Sequence, residues 1–167
     1  MKNFARKEPA RFVDGTIDGV IVTALTSYVD DRGWLAELFR RDEIDPDHLP
    51  VMAYVSQTRP GTTRGPHEHR EQTDVFAFLG DGRWRLWLWD VRADSPTWAC
   101  RQRIDIDPEN RLRVVVPPGV VHAYRNTGTT PACVFNAANR LYAGERRLSP
   151  VDEIRHENRA ESPFTLD

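Results

Sequence analysis

Apolar and polar residues alternate along several short stretches of this chain. The clearest is RWRLWLWDVR at 83–92, in which Arg and Leu alternate with Trp. A period of two residues is typical of a β-strand, whose successive side chains point to opposite faces of a sheet. GWLAELFRRDEI at 33–44 fits a strand followed by a turn. Similar alternation, or a short apolar run, predicts strands at 19–25, 52–60, 74–80, 101–107, 112–119 and 132–142.

Turn residues divide these stretches. The chain holds 12 prolines and 10 glycines, and GDG at 80–82 is typical of a hairpin connection. Many short strands with regular turns indicate a β-sandwich or a small barrel. The polar segment 146–167 differs, because VDEIRHE at 151–157 predicts one or two helical turns.

Composition and charge limit the number of domains and the classes of partner. The chain has 167 residues, 40% of them hydrophobic and 29% charged, which predicts one folded domain. A formal net charge of −2 argues against nucleic acid or an anionic membrane as a partner. No signal-like apolar stretch opens the sequence, so we expect a cytoplasmic protein. Cys100 and Cys133 are then expected to be free, buried thiols.

The stretch RGPHEH at 64–69 holds the strongest candidate chemistry. On a strand, His67 and His69 would face one side, and His122 of a neighbouring strand can join them. With Asp74, the three histidines would make a ligand set for a divalent metal. One histidine can instead act as a base, because its ordinary pKa lies near neutrality. The histidines can also be hydrogen-bonded core residues, and these residues alone leave the three alternatives open.

Several motifs together resemble a known family. GTTRGPHEH at 61–69 and PPGVVHAYRN at 117–126 resemble the two motifs of the cupins. Further segments are similar, in the same order, to the dTDP-4-dehydrorhamnose 3,5-epimerase family of cupins. These segments are DDRGWLAELF (30–39), SQTRPGTTRGPH (56–67), DVRADSPTW (90–98) and DPEN (107–110).

The resemblance implies an all-β fold, a cupin double-sheet jelly-roll barrel with short N- and C-terminal extensions. It implies a single domain over 1–167, with the motif region at about 30–145 and a C-terminal tail at 146–167. The family acts on dTDP-linked 4-keto-6-deoxy sugars without a metal, so no cofactor is expected. A homodimer is also implied, in which N-terminal strands carry Asp31-Arg32-Gly33 toward the neighbour's cavity.

The resemblance also implies roles for individual residues. His67 matches the base that removes a proton from a carbon next to the sugar ketone. Arg64 would bind the diphosphate, because a guanidinium pairs with phosphate oxygens in bidentate fashion. Arg32 and Glu37 match positions near the nucleotide and the sugar. His122 would line the cavity.

Some family residues have no match. Thr73 stands where the family has a lysine, and Phe135 takes the apparent place of the tyrosine acid of the last strand. Asp152 is the nearest candidate for the aspartate that orients the base. Tyr124 and Tyr142 are the phenols available as a relocated acid, and we predict Tyr124 in that role.

The sequence therefore predicts a nucleotide-sugar epimerase or isomerase acting on a 4-keto-6-deoxyhexose linked to dTDP or a similar nucleotide. Arg64 and the Asp31-Arg32-Gly33 segment favour it, because a diphosphate site needs cations and a metal oxygenase does not. One alternative is a metal-dependent cupin using His67, His69, His122 and Asp74. Another is a cupin that binds carbohydrate without catalysis.

Overall fold

The computed structural model of the chain describes residues 4–167. These residues form thirteen strands and two short 3₁₀ helices, Pro46–His48 and Glu145–Arg147. No helix in this part of the chain has the length and apolarity needed to cross a membrane. The strands are β1 (Val13–Asp14), β2 (Ile21–Ala24), β3 (Ser27–Asp30), β4 (Gly33–Ala36), β5 (Met52–Thr58), β6 (Thr63–Glu68), β7 (Asp74–Phe78), β8 (Trp84–Asp90), β9 (Cys100–Ile106), β10 (Leu112–Val116), β11 (Val120–Asn126), β12 (Ala132–Ala138) and β13 (Ile154–Arg155).

Two large sheets pack face to face, and a small hairpin accompanies them. One sheet has six strands in the order β1-β9-β8-β11-β6-β13, and the other has five in the order β2-β10-β7-β12-β5. The strands pair antiparallel except β1 with β9, and β3 and β4 form the separate hairpin. This jelly-roll arrangement confirms the predicted all-β, cupin-type fold.

Alternate residues of β8 enter two different apolar clusters. Trp84 and Leu86 belong to the core between the sheets. Trp87 and Trp89 point to the other side of their sheet and pack with Phe164 of the C-terminal segment. Both faces of β8 are therefore covered, which explains why tryptophan and leucine recur along it.

The C-terminal tail adds a strand rather than the predicted helical turns. β13 pairs antiparallel with β6, so the helical interpretation of 151–157 is wrong. Beside this pairing, the buried carboxylate of Glu68 accepts hydrogen bonds from Arg6 Nε (2.6 Å) and His156 Nε2 (2.9 Å). These contacts tie both terminal segments to the outer face of β6.

The two cysteines are only partly as predicted. Both are free thiols, as expected. Cys133, however, is exposed on β12, and Cys100 is half-buried. Cys133 stands between two buried residues of β12, so its side chain points to the opposite face of that strand.

Candidate active site

A cavity of about 1860 Å³ is lined by residues of both large sheets. Arg64 and His67 of β6 and Tyr124 of β11 come from the six-stranded sheet. Tyr54 and Ser56 of β5 come from the five-stranded sheet. Most residues between 139 and 157 complete the wall. A molecule in this cavity would therefore contact two opposite sheets and one long loop.

Arg64 and His67 face the same cavity because β6 contains a β-bulge. His67 pairs with His122 and Arg64 pairs with Tyr124, so β6 has one more residue than β11 between these pairs. Without the bulge, residues three apart would point to opposite faces. Gly65 is required there, because its φ is +87° and a Cβ would lie 2.5 Å from the His122 carbonyl oxygen.

Two carboxylates face the ring of His67. Its Nδ1 lies 3.6 Å from Glu157 Oε1 and 3.9 Å from Glu153 Oε1. The interaction with His67 is the largest cause of a lowered pKa of Glu157. A carboxylate beside Nδ1 favours the tautomer with the proton on that nitrogen, which leaves Nε2 free to accept one. Arg155 pairs with His67 across β13 and β6, and this register brings both glutamates to the ring.

His122 is a buried, neutral imidazole behind His67. The two rings are 4.4 Å apart between centroids and meet edge to face. Burial and the nearby His67 lower the pKa of His122 to about 3. Its Nδ1 donates to the carbonyl oxygen of Val120 at 3.1 Å, so the neutral ring carries a lone pair on Nε2. That Nε2 has no hydrogen-bond partner among the described residues.

His69 and Asp74 form a buried ion pair beside His122. His69 Nε2 lies 3.1 Å from Asp74 Oδ2, and His69 Nδ1 donates to the carbonyl oxygen of Asp152. Burial opposes the charge on Asp74, but His69 and Asn136 outweigh it and lower the pKa of Asp74 to about 2. Burial also opposes the charge on His69, and Asp74 nevertheless raises the pKa of His69. Each partner of this pair therefore favours the charged form of the other.

The same atoms converge as a metal site requires. Ligand atoms of His69, Asp74 and His122 all lie within 4.8 Å of one another. Each histidine donates Nδ1–H to a backbone carbonyl and presents Nε2 toward Asp74, which is the usual arrangement of metal-binding histidines. The residues thus fit a divalent cation. His67 is not part of this group within residues 4–167.

The profile of one protein family matches most of this chain. It describes the dTDP-4-dehydrorhamnose 3,5-epimerases and matches residues 14–153. This chain belongs to that family. The match confirms the family resemblance that the sequence motifs indicate.

Individual proteins are similar to this chain over most of their length. The chain is 36% identical over 141 residues to the spore coat polysaccharide biosynthesis protein SpsL of Bacillus subtilis, covering 82% of this chain and 92% of SpsL. A dTDP sugar isomerase from Desulfovibrio desulfuricans superimposes with a TM-score of 0.74 at 24% identity, covering 86% and 87% of the two chains. A dTDP-6-deoxy-D-glucose-3,5-epimerase from Legionella pneumophila, solved with dTDP-4-keto-L-rhamnose, gives a TM-score of 0.71 at 20% identity, with 89% and 78% covered.

Two residues that the epimerase resemblance places at the substrate lie away from this cavity. Arg32 lies at the tip of the β3–β4 hairpin, two positions after Asp30. It forms an ion pair with Asp30 at 2.5 Å, and 90% of its side chain is exposed. Glu37 follows β4 and pairs with Arg40 at 3.4 Å. Neither Arg32 nor Glu37 lines the cavity of its own chain.

Asp152 and Phe135 also lie elsewhere than their predicted roles require. The Asp152 carboxylate accepts hydrogen bonds from the backbone N–H groups of residues 70, 71 and 72, so it holds the loop after β6. Glu157, rather than Asp152, faces His67. Phe135 packs with Ile44 on the outer side of its sheet and does not occupy the cavity. Thr73 contacts His48 by its hydroxyl, at 3.3 Å.

Glu157 and Tyr54 are site residues that the sequence did not reveal. Glu157 lies in the tail just after β13, and the helical interpretation of 151–157 hid the pairing of β13 with β6. Tyr54 lies in MAYVSQT, and Tyr54, Ser56 and Thr58 form a polar row at every second position of β5. This polar row was the available signal, because a polar strand face turned inward usually lines a cavity.

Proposed function

We propose that this protein is an epimerase or isomerase of a 4-keto-6-deoxyhexose carried on dTDP or a similar nucleoside diphosphate. The observation that carries the proposal is His67, which faces a large cavity with a carboxylate at Nδ1 and Arg64 at its side. Family membership and the Legionella relative, solved with dTDP-4-keto-L-rhamnose, support the substrate class.

The first step of the proposed reaction is proton removal by His67. A ketone acidifies the hydrogens on its neighbouring carbons. Nε2 of His67 takes one of them, the electron pair forms an enolate, and Glu157 stabilises the resulting imidazolium through Nδ1. Inversion then needs a proton donor on the other face of the sugar, for which the sequence predicts Tyr124.

Arg64 is suited to the diphosphate. Its Nε donates to Thr58 Oγ1 and its Nη2 to the Gln57 carbonyl oxygen, both at 2.9 Å. These two bonds hold the guanidinium against β5. Its remaining N–H groups are free to bind a ligand in the cavity that Arg64 lines. A fixed guanidinium binds a phosphate without first losing its own rotational freedom.

Deuterium exchange tests the base. The protein is incubated with dTDP-4-keto-6-deoxyglucose in deuterated water, and NMR follows the hydrogens at C3 and C5. We expect exchange at one or both carbons and none in His67→Asn. Full exchange in that variant would exclude His67 as the base. Substrate binding without exchange in the unmodified protein would favour the non-catalytic alternative.

The proposal includes a homodimer. The β3–β4 hairpin exposes the apolar side chains of Val29, Trp34 and Leu35 in one copy. Covering them with a second copy would also carry Arg32 away from its own chain, toward the cavity of the other. Light scattering at micromolar concentration should give twice the monomer mass of 19.2 kDa, and a monomer would contradict this part of the proposal.

Divalent metal binding is a second candidate function. The unpartnered Nε2 of His122, beside the carboxylate of Asp74 and Nε2 of His69, favours it. When bound, a metal would supply Lewis-acid chemistry at this position. Calorimetry with Zn²⁺ should detect about one site per chain that Asp74→Asn removes. Equal binding by this variant, or no binding by the unmodified protein, would reject the candidate.

A further inference from the structure

Inversion of a carbon requires a base and an acid on opposite faces of the sugar ring. In a cavity between two sheets, such groups are best supplied by different sheets. His67 comes from the six-stranded sheet. Three phenols line the cavity, Tyr54, Tyr124 and Tyr142, and they differ in the side from which they enter.

Tyr124 enters from the same sheet as His67. It lies on β11, directly beside β6, and is almost completely buried among core aromatic rings. Its hydroxyl is paired with Ser56 Oγ at 3.0 Å. The phenol thus reaches across to β5 at the base of the cavity, where its hydroxyl is already hydrogen-bonded to Ser56.

Tyr142 belongs to neither sheet. It lies in the loop that follows β12, where its backbone N–H contacts Met52 Sδ of β5 at 3.1 Å and its phenol interacts electrostatically with Arg155 of β13. β13 is the edge strand next to β6. Tyr142 therefore lies between the two sides of the cavity and does not enter it from the strand face opposite His67.

Tyr54 enters from the facing sheet. It lies on β5 and pairs across the strands with Asn136 of β12. Asn136 Nδ2 donates to Tyr54 Oη at 2.6 Å and to Asp74 Oδ1 at 3.1 Å. Asp74 thereby orients the amide, and the amide makes Tyr54 Oη an acceptor.

The phenolic proton of Tyr54 is consequently available. Among residues 4–167 no acceptor contacts Tyr54 Oη, whereas the side chain lines the cavity and is 47% exposed. Burial of the hydroxyl and the nearby Asp74 carboxylate raise the pKa of Tyr54, so the phenol stays protonated at neutral pH. A protonated phenol aimed into a cavity opposite a histidine is a ready proton donor.

We propose that Tyr54, rather than Tyr124, donates the proton that inverts the carbon, with Asn136 as its positioning residue. This inference rests on the proposed function. After His67 has taken the proton, the enolate carbon forms a bond to the Tyr54 proton on the opposite face, and the electron pair returns from oxygen as the ketone re-forms. The products are an imidazolium and a phenolate, and solvent returns the proton from His67 to Tyr54.

The test separates proton removal from inversion. Wild type, Tyr54→Phe, Tyr124→Phe and Thr129→Val are incubated with dTDP-4-keto-6-deoxyglucose in deuterated water. NMR records both exchange at C3 and C5 and the amount of epimer. Thr129→Val also removes a single hydroxyl, from an exposed residue between β11 and β12 that does not line the cavity, and is the control. Thermal unfolding and dTDP binding verify that each variant is folded.

We expect Tyr54→Phe to lose epimer formation by about 10²–10⁴-fold, the usual contribution of a general acid. Its exchange should continue, because His67 can return a deuteron to the same face. Thr129→Val should match wild type in both readouts.

Four results would overturn the inference. Epimer formation by a folded Tyr54→Phe at the wild-type rate would exclude the role, as would a loss confined to Tyr124→Phe. Wild-type exchange without any epimer would exclude an inverting acid while leaving His67 as the base. Absence of exchange in wild type would instead reject the proposed function, and the role of Tyr54 with it.

Discussion

Asp90 and Asp74 are both completely buried carboxylates, but their neighbours differ in origin. Asp90 accepts hydrogen bonds from Arg92, Ser95 and Thr97, all within seven positions of it. Asp74 lies between side chains from several strands, including Asn136 of β12. One carboxylate organises a local loop, and the other joins distant parts of the fold.

The two surroundings also differ in how completely they are hydrogen-bonded. Among the described residues, no polar side-chain atom that contacts Asp90 lacks a partner. Beside Asp74, His122 Nε2 and Asn136 Oδ1 are buried and unpartnered. Buried polar groups are normally satisfied, and these two atoms are left free to accept a hydrogen bond. Hydrogen-bond saturation therefore distinguishes the surroundings of Asp90 from those of Asp74.

The largest expected effect is at the saturated carboxylate. Asp90→Asn should lower the free energy of unfolding by about 3–5 kcal/mol, because it leaves the half-buried guanidinium of Arg92 without its fully buried counter-charge. Urea unfolding measures the loss. The exposed Asp94→Asn in the same loop is the control, and it should leave stability near wild type. Equal stability of the two variants would contradict the structural role of Asp90.

A smaller loss is expected at the site. Asp74→Asn should lower the free energy of unfolding by about 1–3 kcal/mol, because the variant loses its charged contact with His69, while the imidazole can stay buried in its neutral form. Urea unfolding and NMR titration of His69 measure both consequences, with the exposed Asp81→Asn as the control. A loss as large as that of Asp90→Asn would remove the distinction between the two carboxylates.

Acid should reduce, but not abolish, the contribution of Asp90 to the free energy of unfolding. Burial by itself would raise the pKa of Asp90, but hydrogen bonds from Arg92, Ser95 and Thr97 outweigh it and lower that pKa. A lowered pKa stabilises the fold above the ordinary value of about 3.9 and is lost as the pH falls through the folded value. The stability difference between wild type and Asp90→Asn should therefore shrink below about pH 4 and stay constant above it.

The smallest effect belongs to an exposed carboxylate. Asp105 pairs with Arg85 at 2.6 Å across β8 and β9, where both side chains remain open to solvent. Asp105→Ala should change the free energy of unfolding by about 0–1 kcal/mol, and added salt should reduce the difference further. A larger effect that resists salt would show that distance, rather than burial, determines the strength of these pairs.

Family and fold class were predictable because they depend on local patterns. The alternation at 83–92 predicted β8, and Arg64 and His67 carried the family motif before any geometry was known. The same reasoning failed for Phe135, because it identified a position along β12 without its face. The structure turns Phe135 outward and its neighbour Asn136 inward.

The C-terminal tail shows a second limit of prediction from sequence. VDEIRHE at 151–157 is short and polar, so its sequence does not distinguish a surface helix from an edge strand. Pairing with β6 decides for the strand, because it supplies backbone partners that the segment lacks by itself. That pairing also gives His67 a carboxylate, Glu157, 90 positions later in the chain.

The sequence by itself indicated eight of the thirteen described strands and, through its motifs, the family and the candidate base, since each of these depends on neighbouring residues. Tertiary structure decided which side chains meet. The bulge at Gly65 turns Arg64 and His67 to one face, β13 brings Glu157, and the pairing of β5 with β12 brings Tyr54 to Asn136. The physical reason is that alternation specifies a face only along an unbroken strand. Register, bulges and facing sheets depend on contacts between residues far apart in the chain.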